Sequence, residues 1–376
     1  MSFAKATSPS CRSLLHTLVR LCRPPLQRGS RQTQADYYVK SYASSAFALA
    51  LISHFVLGLR SLRHLKTQLD CDTRLQRAVG LGGISDAQLP KLLHRRPPAL
   101  WEPLVAELLA RLPRHQLPTS VRIMDSSFFH LGMKLLARQM ARRFTPESAG
   151  VKLTLIMEPA TGAPQDWLVT VGQGNDIPPG VALCAAQEDI HGHLYLFDRG
   201  YIKYDFYASL MERGADFLTR SVHDGSYVVL ETRPLPEAPG AIRSDQLVRV
   251  GSRAAHNLLE RPVRRIVKHT PQGELIFLTS LVDLPAAEVA ELYRTRWQIE
   301  ILFRWLKRVL DCTKPLGYSP AAAAHTFYAA LVCYLLILLA AQAAGTPRGL
   351  AKIVYEIRAG LHERPKLRHL QAFGFL

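Results

Sequence analysis

Apolar residues recur every three or four positions through residues 37–112, which is the spacing of one face of a helix. The clearest runs are Phe47, Leu51, Phe55 and Leu59, and then Leu104, Val105, Leu108 and Leu109. Glycines and the Pro97-Pro98 pair interrupt the pattern between runs, as expected where one helix ends and another begins. The pattern therefore predicts a helical unit in the N-terminal third of the chain.

After residue 118 the pattern changes to short β-rich runs. Four of these runs are predicted to be strands, at residues 121–124, 151–157, 167–171 and 194–197. A helical pattern follows at residues 204–213. Strands and helices that alternate in this way predict a mixed α/β layer over residues 119–220.

Strand-like runs continue in the next segment, at residues 227–231, 247–250, 263–267 and 275–281. Prolines and glycines separate them, so this stretch is predicted to be a β-rich insertion. Helical spacing returns at Ala286 and predicts a helix that continues to about Leu310. The uncharged apolar stretch at residues 326–344 is long enough to cross a bilayer, but its tyrosines, its glutamine and its many alanines favour a buried helix.

Composition indicates a folded protein with a polyanionic partner. Hydrophobic residues make up 48% of the 376 residues and charged residues 20%, which excludes a disordered or fibrous chain. The excess of 47 Lys+Arg over 30 Asp+Glu gives a formal net charge of +17. Nucleic acid is the leading partner, because binding to phosphates releases condensed counterions, and an anionic membrane surface is the alternative.

The N-terminus and the cysteines bear on location. The first 35 residues are rich in arginine and serine and contain no acidic residue, a composition that suits a basic arm on DNA but also imitates a mitochondrial transit peptide. The six cysteines show no metal-binding spacing and are interpreted as reduced thiols of the cytoplasm. No G-x-x-x-x-G-K-[ST] loop occurs, so no nucleotide cofactor is expected.

Three carboxylates suggest a metal site. Asp125 and Asp198 each end an apolar run, where an acidic side chain is exposed as a strand stops, although turns after strands also favour Asp for structural reasons. Four polar residues of the later helix fall within about 60° of one another on one face, at about 100° per residue. They are Tyr293, Arg296, Glu300 and Lys307. A cleft lining and a solvated face held by an Arg296–Glu300 pair both explain this face.

The same four residues form the signature Y-x2-R-x3-E-x6-K, which resembles that of a large group of bacterial insertion-sequence transposases of the DDE type. Other blocks also resemble that group, and the likeness covers about residues 37–344. These blocks are Asp125-Ser126, Gly150-Val151-Lys152-Leu153, Asp198-Arg199-Gly200-Tyr201 and Arg296-Trp297-Gln298-Ile299-Glu300.

This resemblance implies an α/β fold with a ribonuclease-H-like catalytic core, interrupted by a β-rich insertion and preceded by a helical N-terminal domain. It implies that Asp125, Asp198 and Glu300 are catalytic and hold two divalent ions, Mg²⁺ or Mn²⁺, because hard cations prefer oxygen ligands. Phosphate-binding roles are implied for three further residues, namely Tyr293, Arg296 and Lys307.

The expected activity is cut-and-paste transposition, with metal-dependent cleavage and strand transfer at the element ends. The expected partner is double-stranded DNA, both the terminal inverted repeats and the target, bound by a homodimer on the bacterial nucleoid. Two other classes remain open. One is a non-catalytic DNA-binding regulator derived from a transposase, and the other is a membrane-associated hydrolase that would rest on residues 326–344.

The organisation expected from pattern and resemblance has six segments. They are a basic arm (1–36), a helical DNA-binding domain (37–118), the first part of the core (119–220), the β-rich insertion (221–285), the second part of the core with Glu300 (286–345) and a basic tail (346–376).

Overall fold

The structure is a computed structural model of the chain, and it describes residues 14–39, 41–112, 120–130, 150–172, 174–221, 225–235, 241–252, 257–343 and 350–360. The first 13 residues of the predicted arm and the last 16 of the predicted tail lie outside this part of the chain. The chain divides into two compact units. Unit 1 is Met1–Pro113, Phe129–Val151 and Arg304–Leu376, and unit 2 is Arg114–Phe128 and Lys152–Phe303.

The helices of the described residues are α1 (Leu14–Gln32), α2 (Ser44–Leu57), α3 (Leu62–Cys71), α4 (Thr73–Val79), α5 (Gln88–Arg95), α6 (Glu102–Ala110), α7 (Ile177–Ala186), α8 (Tyr204–Glu212), α9 (Ala286–Arg294), α10 (Trp297–Arg308), α11 (Pro320–Ala343) and α12 (Leu350–Gly360). The strands are β1 (Ser120–His130), β2 (Gly150–Glu158), β3 (Ala163–Val171), β4 (His193–Phe197), β5 (Asp216–Arg220), β6 (Tyr227–Thr232), β7 (Ile242–Val250), β8 (Val263–Thr270) and β9 (Gly273–Thr279).

Unit 1 is built around two helices that are apolar on nearly every side. Nearly all of α2 is buried, and 89% of the apolar stretch of α11 is buried within the protein. α11 is long and apolar enough to cross a bilayer, but it packs against α2, α5 and α6. A helix with no polar face is stable in water only when other elements cover it. The structure thus has α11 as the buried helix that the sequence favours.

Part of the predicted basic arm is helical. Residues 14–32 form α1, which packs against α2 and α6 and buries its leucines. The backbone of α1 at Gly29 lies close to the backbone of Leu100, because a Cβ atom on Gly29 would stand 2.1 Å from the Leu100 carbonyl oxygen. Only glycine fits that contact. The Pro24-Pro25 pair inside α1 hides this helix from sequence patterns, because proline usually ends helices.

Unit 2 contains a nine-stranded sheet with the order β3-β2-β1-β4-β5-β9-β8-β7-β6. β1, β4 and β5 are parallel to one another, whereas β5 to β9 and the three further pairs out to β6 are antiparallel. The predicted strands of the α/β layer and of the β-rich insertion are confirmed, as is the helix at residues 204–213, now α8. β5 was not predicted, because it is a five-residue strand with charged residues at both ends.

Two predictions about local structure are wrong. β1 continues to His130, so Asp125 lies within a strand and not at its end. The helix predicted from Ala286 to Leu310 is broken into α9 and α10 at Thr295 and Arg296. At the break the hydroxyl of Thr295 donates to the carbonyl of Leu292 at 2.7 Å, and the backbone changes to i→i−3 hydrogen bonds. These tighter turns rotate the following residues away from the single face that a continuous helix would give.

Candidate active site

The two predicted aspartates lie on neighbouring parallel strands. β1 and β4 pair with Ile123 opposite Leu196, and Asp198 directly follows β4. Continuing this register by two residues brings Asp125 opposite Asp198, on strands that lie about 4.8 Å apart. Two carboxylates therefore lie side by side, one within β1 and one directly after β4.

Asp125 is held in an environment that opposes its negative charge. Burial raises its pKa to about 6, and the negative charges of Asp198 and Asp176 act in the same direction. The backbone N–H of Ser126, which donates to Oδ1 at 2.8 Å, and the positive charge of Arg296 oppose this rise. A buried carboxylate with two like-charged neighbours is stabilised by any cation that enters the site.

Arg296 joins Asp125 to Glu300. Its Nη1 lies 3.5 Å from Oδ2 of Asp125, and its Nη2 donates to Oε1 of Glu300, one helical turn further along. This guanidinium is 13% exposed. The i,i+4 pair that one interpretation of the sequence anticipated is therefore present, but its arginine also contacts Asp125, so the pair belongs to a partly buried carboxylate cluster and not to a solvated face.

A chain of hydroxyl groups positions Ser126, whose backbone N–H donates to Asp125. Ser126 Oγ lies 2.7 Å from Thr154 Oγ1 and 2.7 Å from the hydroxyl of Tyr201, which belongs to the 3₁₀ turn that follows Asp198. Gly180 of α7 packs against this turn, and a Cβ there would stand 2.7 Å from the ring of Tyr201. The sequence blocks around the two aspartates contain Ser126 and Tyr201, but composition alone gives them no role.

A second carboxylate–cation pair lies next to Asp125. The ammonium group of Lys152, which is 8% exposed, binds the carboxylate of Asp176 and the carbonyl of Gly174. Asp176 lies close enough to Asp125 to affect its pKa. The sequence analysis assigned no role to either residue. Burial of a lysine beside an aspartate depends on tertiary structure and gives no signal in the sequence pattern.

The remaining predicted residues have different surroundings. The ring of Tyr293 packs on Phe277 with centroids 5.2 Å apart, and burial raises the pKa of Tyr293 to about 12. The guanidinium of Arg296 lies 5.8 Å from the centroid of the same ring. Lys307, in the last turn of α10, belongs to unit 1, where its Nζ lies 4.7 Å from the ring centroid of Phe129 and burial lowers its pKa.

A cationic cleft of about 680 Å³ adjoins Arg296 within unit 2. Residues of the α9–α10 break and the end of β5 line it, and three of them are arginines. The lining residues are Arg220, Glu291, Tyr293, Arg294, Thr295, Arg296, Trp297 and Gln298. Such a concentration of guanidinium groups suits phosphate oxygens, which arginine can bind in pairs.

The chemistry around Asp125 suits a hard divalent cation. The available donors are carboxylate and hydroxyl oxygens, which hard divalent cations prefer, and burial together with the charges of Asp198 and Asp176 raises the pKa of Asp125 despite the nearby Arg296. Among the described residues, no three His, Cys, Asp or Glu side chains converge as a set of metal ligands. Arg296 lies between two of the candidate carboxylates instead. Donor type therefore fits Mg²⁺ or Mn²⁺, with Arg296 in the position of the neutralising cation.

Comparison with known proteins gives consistent results. The family model described as "Transposase DDE domain" matches residues 116–336. A Sinorhizobium fredii protein named as a transposase, y4zB, is 30% identical over 255 residues, which cover 66% of this chain and 69% of that protein. A Geobacillus stearothermophilus protein named as the transposase for insertion sequence element IS5377 is 24% identical over 306 residues, which cover 78% and 77%.

A solved structure is similar in fold. It is a cryo-EM structure of the piggyBac transposase synaptic complex with hairpin DNA, with a TM-score of 0.50 and 11% sequence identity. The match covers 98% of this chain and 86% of that one. At this identity the likeness concerns the fold alone.

Proposed function

This chain belongs to the family of transposases with a DDE domain, and from that premise we propose that Asp125, Asp198 and Glu300 are its catalytic carboxylates. The protein is a DNA transposase, an enzyme that cleaves and joins DNA strands with the help of divalent metal ions. The observation that supports the residue assignment is the β1–β4 register, which brings Asp125 opposite Asp198, together with the link from Asp125 through Arg296 to Glu300.

The finer assignment of the fold is a ribonuclease-H-like core, preceded by a helical DNA-binding domain. It is supported by the strand order β3-β2-β1-β4-β5, in which the two aspartates occupy the central adjacent strands. β6 to β9 would then be the β-rich insertion that extends the same sheet before the Glu300 helix. The finer family assignment is an insertion-sequence transposase of the group with the Y-x2-R-x3-E-x6-K signature, which Tyr293, Arg296, Glu300 and Lys307 match.

In this proposal the three carboxylates hold two ions, Mg²⁺ or Mn²⁺. When bound, two such ions lower the pKa of the attacking water or hydroxyl and neutralise charge on the leaving oxygen. Asp125 is aligned for this task by the N–H of Ser126, and Ser126 by the hydroxyls of Thr154 and Tyr201. These contacts fix the carboxylate before substrate arrives, which lowers the cost of organising the site.

DNA is positioned by groups other than the carboxylates. Tyr293 and Arg296 line the cationic cleft, where they would bind the scissile strand through its phosphates. Lys307 would bind a DNA phosphate as a point charge. The formal charge of +17 supports tight, salt-dependent binding to the duplex. The substrates would be the terminal inverted repeats and the target DNA on the nucleoid, and a homodimer would hold two ends together.

Cleavage of DNA that carries the native element ends tests this proposal. We expect Mg²⁺-dependent nicks at the element boundary with the wild-type protein and none with Asp125→Asn, while both proteins shift the same DNA in a gel. The control is Glu274→Gln, which removes one exposed carboxylate from the start of β9 and leaves the site unchanged. Binding without any cleavage by the wild type would favour a non-catalytic regulator, and cleavage by Asp125→Asn would exclude Asp125 from the site.

A further inference from the structure

Arg296 contacts carboxylate oxygens that a metal ion would use as ligands. Oδ2 of Asp125 and Oε1 of Glu300 are directed at its two Nη atoms. The Nε atom of Arg296 is buried and has no hydrogen-bond partner among the described residues. The guanidinium is thus bound by its two ends and incompletely satisfied, which is unusual for a buried arginine.

Arg296 and a divalent cation compete for these carboxylates. Mg²⁺ binds carboxylate oxygen at about 2.0–2.1 Å and demands strict geometry. A guanidinium in hydrogen-bond contact with the same oxygens would place two positive groups within a few ångströms of each other in a partly buried site, where their repulsion is strong. Binding of one cation therefore weakens binding of the other.

The structure offers the Arg296 guanidinium a second binding environment. Arg296 also lines the cationic cleft of about 680 Å³, beside Arg220 and Arg294. The lining also contains the ring of Tyr293, whose centroid lies 5.8 Å from the guanidinium, and one carboxylate, Glu291, which is paired with Lys268 and Arg294. A DNA phosphate in the cleft would supply an anion that accepts two hydrogen bonds from the guanidinium.

We propose that Arg296 is an exchangeable counter-ion, which neutralises Asp125 and Glu300 in the free protein and moves to a DNA phosphate when DNA enters the cleft. Metal ions then bind the released carboxylates, so DNA and metal each raise the affinity of the protein for the other. This inference rests on the proposed function for the identity of the metal ligands. It adds the order of events, in which DNA prepares the metal site.

The size of the effect follows from thermodynamic linkage. Coupling between two ligands typically changes each affinity by about 5- to 150-fold, and the change is reciprocal. Removing the competing guanidinium by Arg296→Gln is therefore expected to tighten Mn²⁺ binding by about tenfold in the absence of DNA. Arg296→Lys should give an intermediate affinity, because a single ammonium group pairs with fewer carboxylate oxygens than a guanidinium.

The first measurement is Mn²⁺ binding by the full-length protein without DNA, from the EPR signal of free Mn²⁺. The matched control is Arg243→Gln, which removes the same charge from an exposed position on β7 of the same unit. Tighter binding by Arg296→Gln and unchanged binding by Arg243→Gln supports the exchange. Unchanged or weaker binding by Arg296→Gln overturns it. If Arg296→Gln does not fold, Arg296→Lys gives the same decision with a smaller change.

The second measurement is binding of a fluorescent duplex by anisotropy at fixed ionic strength without metal. Asp125→Asn frees Arg296 for phosphate, so we expect duplex affinity to rise several-fold more than in Glu274→Gln, which also removes one negative charge. Equal affinities of the two variants would overturn the exchange.

Failure of the exchange can be told apart from failure of the proposed function. Loss of Mn²⁺ binding by Asp125→Asn together with no gain by Arg296→Gln leaves the metal site in place and removes only the exchange. Normal cleavage by Asp125→Asn removes the site itself.

Discussion

Among the described residues of unit 2, one arginine–aspartate pair is buried and a second is partly buried, and they differ in how completely each arginine is bound. In the β-rich insertion, Arg264 forms two parallel hydrogen bonds to Asp245, at 2.8 and 2.5 Å, and it also donates to the carbonyls of Leu281 and Leu284. Beside β1, Arg296 has one contact to Asp125 and one to Glu300, and its Nε is unbound among the described residues.

The difference distinguishes a pair with a structural role from a pair at the candidate active site. Arg264 and Asp245 are 3% and 6% exposed, and each satisfies the other, so the pair fixes the positions of β7 and β8. Arg296 and Asp125 are 13% and 19% exposed and border a cleft, and the pKa of Asp125 is raised to about 6, mainly by burial. A fully bonded pair resists exchange, whereas a loosely bonded pair at a cleft is available to a metal ion or a phosphate.

The largest expected effect is on catalysis at the loose site. Asp198→Asn and Glu300→Gln should each reduce DNA cleavage by more than about 1000-fold, because each removes a charged ligand whose ion stabilises the transition state by several kcal/mol. The rate of nicking at an element end measures this loss. Melting temperatures close to that of the wild type would show that the loss is catalytic, and cleavage within tenfold of the wild type would contradict the assignment of either residue.

The tight pair should show the reverse behaviour. Asp245→Asn leaves the guanidinium of Arg264 buried without its charge partner, and we expect the free energy of unfolding to fall by about 3–5 kcal/mol. Urea denaturation followed by circular dichroism measures it. Cleavage per folded molecule should stay near the wild-type value, and a loss of less than 1 kcal/mol would mean that the two pairs do not differ as described.

A buried histidine in unit 1 sharpens the comparison, because it is fully bonded but uncharged. His325 Nδ1 accepts from Trp101 Nε1 at 2.9 Å, and its Nε2 lies 2.9 Å from the carbonyl oxygen of Arg96. Trp101 and the edge of the Phe47 ring pack on it, and the Arg96 guanidinium is directed at backbone carbonyls elsewhere. Burial lowers the pKa of His325 from 6.5 to about 4.

Because the folded pKa of His325 lies below the unfolded one, the unfolded chain binds the proton more tightly. The resulting stability is present above about pH 6.5 and is lost as the pH falls towards 4, and it amounts to about 3 kcal/mol at most. As the pH is lowered through that range, the free energy of unfolding should decrease in the wild type and should decrease less in His325→Gln. Equal slopes for both proteins would show that His325 does not titrate in this way.

The smallest expected effect concerns the hydroxyls behind Asp125. Tyr201→Phe removes one hydrogen bond to Ser126 and should slow cleavage by about tenfold or less, which corresponds to about 1 kcal/mol. The ring remains packed against Gly180, so stability should change little. A loss as large as that of Asp198→Asn would place Tyr201 among the groups that act on DNA directly.

Sequence patterns located most elements of the sheet, for a physical reason. Strands such as β2 and β4 are runs dominated by apolar residues, and they are buried along most of their length. β5 was missed because Asp216 and Arg220 leave only three apolar or neutral residues between them. The α9–α10 break was missed because it depends on a Thr295 hydroxyl bond to Leu292, whereas the residue pattern itself is helical throughout.

The candidate site was predictable only as a set of residues. The spacing of Arg296 and Glu300 showed that they can pair along a helix, and the contact was found. The contact of Arg296 with Asp125 joins positions 171 residues apart and follows from the fold, so no local pattern contains it. The Lys152–Asp176 pair and the Ser126–Tyr201 hydroxyl contact were missed for the same reason.

The central claim is that Asp125, Asp198 and Glu300 bind the catalytic ions, and replacing each in turn by cysteine tests it most directly. A thiolate is a softer ligand than a carboxylate, and Mn²⁺ tolerates it better than Mg²⁺. Asp125→Cys, Asp198→Cys and Glu300→Cys should therefore fail to cleave element ends with Mg²⁺, and at least one should recover cleavage with Mn²⁺, while Glu274→Cys cleaves with both. The account would be contradicted if any of the three variants cleaved with Mg²⁺ at the wild-type rate, or if none of the three recovered cleavage with Mn²⁺.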